Sequence, residues 1–294
     1  MSDKGILLFA YNNREIDYIR IASVAARLAK KNIQVPVTLV TDSSTVEWAF
    51  SQDSGLMSAF DNIVLTDDLP RIVNQDKRYY DGSLDYKKTK FDNNFRTWCY
   101  LLSPYDKTLV MDIDLLIMND RLKSIWDTDV DFMINADHFD LAQDRDNFEF
   151  KRTSDYGIDF YWATIFYFKK TERTKTFFEL CRHIVENYDF YVFTYRLPAH
   201  LMRNDYVFSI AIHIMNGFSN KTKPAKLPCQ IYYTLDKDVL YKVNSDNDLT
   251  FFVEKKGYNG EYLLTRTINQ NVHVMNKYSL VRNITALTEA LDVG

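Results

Sequence analysis

The chain has 294 residues, with 36 Lys+Arg against 40 Asp+Glu and a net charge of −4 with His neutral. That length holds one large α/β domain or two small ones. A hydrophobic share of 46% and a charged share of 26% exclude a disordered or fibrous chain. No run approaches the ~20 apolar residues that span a bilayer, and the slight acidity argues against nucleic-acid binding through the overall field. The opening residues 1–13 break their short apolar run at Tyr11-Asn12-Asn13, which is not the pattern of a signal peptide. Cys99, Cys181 and Cys229 lie far apart, without metal-ligand spacing, as expected of reduced thiols in a cytosol-like compartment. The 20 Tyr and 20 Phe foretell an aromatic core; stacking platforms for sugars or bases are the functional alternative.

In chain order, Gly5 to Ala10 is a continuous apolar run, too short for a helix, and reads as a buried strand. From Asp17 to Lys31, Ile19, Ala22, Ala25, Ala26 and Ala29 recur at helical spacing. Val35 to Val40 is a second strand, closed by Thr41-Asp42. Strand, helix and strand in about 40 residues predict a right-handed βαβ unit with parallel strands. Ala10-Tyr11-Asn12-Asn13 and Thr41-Asp42 then share the sheet edge where open α/β sheets bind ligands. No G-x-G-x-x-G or P-loop follows the first strand, so a dinucleotide site of the Rossmann kind is excluded. Asn62 to Thr66 is a third strand. Residues 67–94 are polar, with a turn at Tyr79-Tyr80-Asp81-Gly82 and a basic cluster, Lys87-Lys88-Thr89-Lys90, expected on a solvated face.

Asn94 to Leu102 predicts an amphipathic helix stopped by Ser103-Pro104, and Lys107 to Met111 a strand running into Asp112-Ile113-Asp114 and Leu115-Leu116-Ile117. Further strands are expected at Val130 to Ile134 and Phe160 to Phe168, a loop over 139–158, and helices at Thr171 to Tyr188 and Asn204 to Met215. Beyond Lys226 the chain is strand-and-turn rich, with Asn271 to Met275 a strand and a short helix at the end.

Asp112-Ile113-Asp114 carries most of the functional weight. Alternate residues of a strand point to one side, so the two carboxylates can converge. Two ionised carboxylates at the end of so apolar a strand repel unless a positive charge sits between them. A divalent metal is the simplest such charge, and oxygen ligands favour Mg2+ or Mn2+. His273, flanked by Val272, Val274 and Met275, reads alone as a core histidine; beside the acid pair it becomes a third ligand. His138 is expected to be a loop residue rather than part of an acceptor site, and His183, His200 and His213 have nothing to distinguish them.

The acid pair in this context resembles the D-x-D element of nucleotide-sugar-dependent glycosyltransferases with the GT-A fold, and family 8, the galactosyltransferase and glycogenin group, is similar in pattern. Phe9-Ala10-Tyr11-Asn12-Asn13 stands where that family has its first-strand nucleoside loop. Arg96 stands where it places an arginine near the sugar and phosphates. Tyr161 to Ile165 resembles the strand bordering the acceptor cleft, Asn204-Asp205 the amide-acid pair near the anomeric carbon, and His273 with Lys277 the last metal ligand and a phosphate-binding lysine. Two departures stand out: Lys277 follows the histidine by four residues rather than six, without the family's Gly and Pro-Trp, and Arg203 replaces the first acid of an acid-amide-acid run.

The resemblance implies an α/β, GT-A type, Rossmann-like αβα sandwich with a mixed, mostly parallel sheet and a C-terminal strand/helix extension. It implies one domain over 1–294, with a nucleotide-sugar and metal half (1–118), an acceptor half (119–235) and an extension returning to the metal site (236–294). The expected activity is transfer of a sugar from a nucleotide-diphosphate sugar, a UDP-sugar first, with retention. Asp112, Asp114 and His273 would hold Mn2+ or Mg2+. Ala10, Tyr11, Asn12, Asp42, Arg96, Asp112 and Lys277 would bind the donor, with Asn204 and Asp205 under the sugar. An inverting enzyme would instead need a base, for which Asp137, His138 and Asp205 are candidates.

The acceptor is left open between a glycan, a lipid-linked sugar, a protein and a hydroxymethylated DNA pyrimidine. The loop 139–158 and the aromatic stretches 156–168 and 188–195 are expected to face it. DNA would require Lys87, Lys88, Lys90, Lys169, Lys170, Arg173, Lys175, Lys221, Lys223 and Lys226 to converge on a groove. With no basic amphipathic terminal helix, no stable membrane association is expected. Two other classes stay open: a nucleotidyltransferase, which lacks its glycine-rich first loop here, and a non-catalytic nucleotide-sugar-binding protein.

Overall fold

The computed structural model describes residues 2–13, 15–71, 75–91, 95–143, 145, 150–154, 157–198, 201–257 and 260–293. Its centre is a six-stranded sheet in the order β3-β2-β1-β6-β10-β8, made of β1 (Lys4–Phe9), β2 (Val37–Thr41), β3 (Asn62–Leu65), β6 (Lys107–Met111), β8 (Phe132–Ile134) and β10 (Ile165–Lys169). β3, β2, β1 and β6 are mutually parallel. β10 runs antiparallel to both β6 and β8, so it alone opposes the rest.

The continuous apolar runs follow from burial on both faces. Ile6, Leu8, Leu109, Met111 and Tyr167 face one core with helix α1 (Tyr18–Ile33). Leu7, Val110, Phe166 and Phe168 face the other, with α4 (Glu172–Glu186) and α6 (Asn204–Met215). The second core is the aromatic one: Phe166, Phe177, Phe178 and Phe208 meet at ring distances of 4.8–6.1 Å. Gly5 is required by close approach, because a Cβ there would lie 2.3 Å from the buried Tyr105 ring.

Three smaller sheets surround this αβα body. One is ordered β7-β15-β11-β9, from Leu115–Leu116, Asn271–His273, Ile231–Tyr233 and Phe139–Asp140. Another contains β12 (Val239–Ser245), β13 (Asp248–Glu254) and β14 (Tyr262–Ile268). The last is a hairpin of β4 (Gln75–Asp81) and β5 (Asp85–Phe91). Helices α2 (Ser43–Gln52), α3 (Cys99–Leu102), α5 (Tyr188–Tyr195), α7 (Lys277–Arg282) and α8 (Ile284–Val293) complete the described elements. No helix among the described residues is long and apolar enough to cross a membrane.

Several expectations are corrected. Residues 75–91, expected only as a polar segment with a turn at residues 79–82, pair as the hairpin, turning at Gly82 with φ 78°. The helix expected from Asn94 shrinks to a 3₁₀ turn, Arg96–Trp98, and the single turn of α3; Asn94 itself lies outside the described residues. The strand expected over Phe160 to Phe168 begins only at Ile165, and part of the 139–158 loop is the strand β9.

Candidate functional site

The parallel strands β1, β2 and β6 end on one side of the sheet, above a cavity of about 1130 Å³. That exceeds the ~300–1,000 Å³ of a typical small-molecule site.

Asp112 and Asp114 converge here through a tight turn rather than through strand alternation. β6 stops at Met111, and the Leu115 amide donates to the Asp112 carbonyl at 3.2 Å. β7 then pairs antiparallel with β15, putting His273 opposite Leu115. His273 Nε2 lies 3.1 Å from Asp114 Oδ2 and 3.9 Å from Asp112 Oδ2. Its Nδ1 faces Thr164 Oγ1 at 3.5 Å.

Each carboxylate also has a cation. Arg96, held by a 2.6 Å bond from Nη1 to the Ala163 carbonyl, pairs with Asp112. Lys277, opening α7, pairs with Asp114. Burial pushes both carboxyls up. At Asp112 it prevails, helped by the Asp114 charge and opposed by Arg96. At Asp114, Lys277 and His273 outweigh it and hold the group far below the ordinary carboxylate range.

These residues fit a divalent ion. One oxygen from each acid and one imidazole nitrogen lie within 4.8 Å of one another. Two hard oxygen donors and a nitrogen suit Mn2+ or Mg2+.

At one end of the cavity, the Tyr11 hydroxyl is 3.1 Å from Thr66 Oγ1, and its ring is 5.6 Å from that of Phe95. Asn12 and Asp42 line the same end, but their side chains serve helices. Asn12 Oδ1 accepts from the Ile19 amide at 2.9 Å, and Asp42 caps α2 while its second oxygen accepts from Arg71 at 2.8 Å. Ala10 is buried, its amide on the Val40 carbonyl and its carbonyl under the Thr41 hydroxyl, so it stands behind the wall.

At the other end, α6 presents Asn204 and Asp205 to the cavity. Asp205 Oδ1 accepts from the Ala163 amide at 2.9 Å, and Oδ2 pairs with Arg203 at 3.0 Å. Arg203 stacks over the rings of Phe150, Phe160 and Tyr206.

The histidine candidates other than His273 are not brought in. His138 stacks on Trp162 at 4.5 Å; both its nitrogens are buried without a hydrogen bond, and burial holds the ring neutral. His183 packs against Tyr191 and His213 against Tyr195, while His200 lies outside the described residues. Of the segments expected to face an acceptor, Phe150 of the 139–158 loop and Trp162 of the 156–168 stretch line the cavity, but no residue of α5 does. Of the basic residues considered for a groove, Lys88 and Lys90 on β5 line the cavity, whereas Lys87 pairs with Glu15, Lys223 with Asp159 and Lys226 with Asp137, and Lys170 donates to the Ser103 carbonyl.

Sequence reasoning missed Lys77, Arg71 and Asp236, all in the cavity lining. Lys77 comes from the hairpin, for which Asp81-Gly82 between alternating segments was the available signal. Asp236 follows β11 in a loop with no pattern of its own.

No family model and no curated protein matches this sequence. Among solved structures, the chain is similar to the galactosyltransferase LgtC in complex with donor and acceptor sugar analogues: 15% identity, 71% of this chain, 70% of that one, TM-score 0.41. It is similar to the glycosyltransferase GlyE of Streptococcus pneumoniae TIGR4 at 16% identity, over 76% of this chain and 45% of that one, TM-score 0.40. Mouse xyloside xylosyltransferase 1 matches at 11% identity over 74% of this chain and 83% of that one, TM-score 0.42. All three bear glycosyltransferase names.

Proposed function

We propose that the protein is a metal-dependent glycosyltransferase that moves a sugar from a nucleotide-diphosphate sugar, a UDP-sugar first, to an acceptor hydroxyl with retention. The observation that carries this reading is one cluster: Asp112, Asp114 and His273 within ligating reach, flanked by Arg96 and Lys277, in one large cavity at the sheet edge.

The charge balance follows the reaction. When the anomeric carbon–oxygen bond breaks, its electron pair goes to the departing diphosphate, the acceptor oxygen bonds to the anomeric carbon, and the acceptor's proton passes to the diphosphate oxygen that has left. Asp112, Asp114 and His273 would hold Mn2+ or Mg2+, which would supply Lewis-acid stabilisation of that diphosphate when bound. Arg96 and Lys277 are the chain's own donors to the same oxygens. Both must turn part of their hydrogen bonding from carboxylate to phosphate, a short movement for side chains already at the cluster. Tyr11, with Phe95 beside it, is the surface for the base; Asn12 and Asp42 shape that end, largely by fixing α1 and α2. Asn204 and Asp205 face the sugar. The three base candidates named from the sequence are engaged, which is compatible with retention: Asp205 has both oxygens taken, Asp137 is paired with Lys226, and His138 stacks on Trp162; Asp236 is the carboxylate an inverting reaction would use.

Thermal melting with UDP-, GDP-, CMP- and TDP-sugars, each with and without Mn2+, tests the reading. At a hundredfold excess over Kd, binding to the native state adds about 2.7 kcal/mol. The expected result is stabilisation by one nucleotide sugar that needs the metal and is lost in Asp114→Ala. No shift with any of them overturns the donor assignment.

A further inference from the structure

Lys77 and Asp236 are the two partly buried charged residues of the described cavity lining that make no hydrogen bond or ion pair. Every neighbour of comparable burial has a partner: Arg96 with Asp112, Lys277 with Asp114, Arg203 with Asp205, Asp42 with Arg71. The Lys77 ammonium rests between two rings, 5.4 Å from the centre of Tyr79 and 5.6 Å from that of Phe91. The charges that bear on it are Lys277, Asp236, Arg203 and Asp114, which sets it between the acid cluster and the α6 end of the cavity.

The hairpin holds Lys77 firmly in place. At its start, Gln75 clasps the Met202 backbone twice at 3.0 Å. At its tip, Ser83 Oγ donates to the buried Glu254 at 2.5 Å, and its amide to the Tyr262 hydroxyl at 2.9 Å. Arg282 binds Asp81 in bidentate fashion at 2.5 and 2.8 Å.

A desolvated ammonium and a carboxylate left unpaired within the field of each other are costly unless a ligand satisfies both. We propose that Lys77 and Asp236 are the polar walls of an acceptor subsite for a neutral carbohydrate, with Lys77 donating to one hydroxyl and Asp236 accepting from another. The pair sums to zero charge, and Lys277 and Arg203 are neutralised by their own carboxylates, so the subsite favours an uncharged polyol over an anion. The Tyr79 and Phe91 rings supply the apolar face that sugar C–H groups pack against. This rests on the glycosyltransferase reading for its role, but not for its detection.

Saturation-transfer NMR on the full chain tests it, with UDP and Mn2+ present and again without them. The probes are methyl glycosides of glucose, galactose, mannose and xylose, with glucose 6-phosphate as the charged comparison. Saturation of at least one neutral glycoside is expected, weakened about tenfold in Lys77→Met and in Asp236→Asn, since each loses a charge-assisted hydrogen bond. UDP affinity by calorimetry should stay within about twofold in both, as for sites that do not share partners, which also shows that the variants fold. Four results overturn the inference. They are no neutral glycoside saturated by the wild type, saturation unchanged in either variant, saturation of glucose 6-phosphate alone, or a tenfold loss of UDP affinity in Lys77→Met, which would give Lys77 to the diphosphate. Failure of the wild type to bind any nucleotide overturns the transferase reading instead, while the nucleotide-free arm still reads the subsite.

Discussion

Single side chains here show a division between groups whose charge is answered and groups whose charge is not. Burial against Tyr79 and Phe91, with Lys277 repulsion added, pushes the Lys77 ammonium down to about 8. Its folded value is thus below the unfolded one, so the unfolded chain binds more protons between pH 8 and about 10.5. The penalty of the buried charge is fully present below pH 8 and fades as pH rises through that window. Discounted for partial exposure, it amounts to about 1–2 kcal/mol, so Lys77→Met should melt roughly 3 °C above wild type at pH 7. The gain should shrink toward pH 10.5, as scanning calorimetry across pH would read; a variant that melts lower at pH 7 contradicts the account. Stereochemistry is also decided by single groups. If no carboxylate, Asp236 included, activates the attacking water, proton NMR of slow donor hydrolysis should show the donor's anomeric configuration appearing first. Inversion would point to Asp236, the unpaired carboxylate in the cavity.

Among the elements, the β4–β5 hairpin is the one that closes the site, and its hold is side-chain chemistry at a few points. Removing the two clamps at the tip together, as in Ser83→Ala with Arg282→Ala, should leave both main cores intact. Amide exchange over 75–91 should then quicken about tenfold, because each hydrogen bond lost costs about 1 kcal/mol of local opening energy. Unchanged protection there would mean strand pairing alone fixes the hairpin. The hairpin was also the element least legible beforehand. Lys87, Lys88 and Lys90 face solvent from β5 as their composition suggests, yet the same ladder turns Lys77, Tyr79 and Phe91 inward. By contrast α6 and α4 were readable nearly to the residue, since Thr171 caps α4 in a reciprocal box and Asn216-Gly217 ends α6. Their signals are local. The short turn at Arg96–Trp98 has no such signal, because its backbone is set by Arg96 reaching Ala163 and Asp112.

At the scale of the whole molecule, the β12–β14 sheet is joined to the sheet that contains β9 and β15 through a buried ion network. Arg145 is 2% exposed in its side chain and pairs with Asp140 on β9 and with Asp238 before β12, both also buried. It donates as well to the Glu254 carbonyl at the end of β13. Arg145→Met leaves the buried Asp238 without its counterion, a change that costs about 3–5 kcal/mol. Denaturant unfolding should show a loss of that size with the slope preserved; a loss under 1 kcal/mol would mean that packing alone carries the junction.

The βαβ opening, the two-sided burial of the central strands, the main helices and the suspicion cast on Asp112, Asp114 and His273 were all determined by the sequence, because each rests on spacing within a few residues or on a carboxylate pair in an apolar context. Only the tertiary structure decided that the acids meet through a turn, that β15 seats His273 against them, and that the polar groups of Asn12 and Asp42 are taken up by helix caps. It alone set Lys77 and Asp236, more than 150 residues apart in the chain, on one cavity. Such meetings depend on strand register and on clamps between distant segments, for which a linear pattern carries no signal.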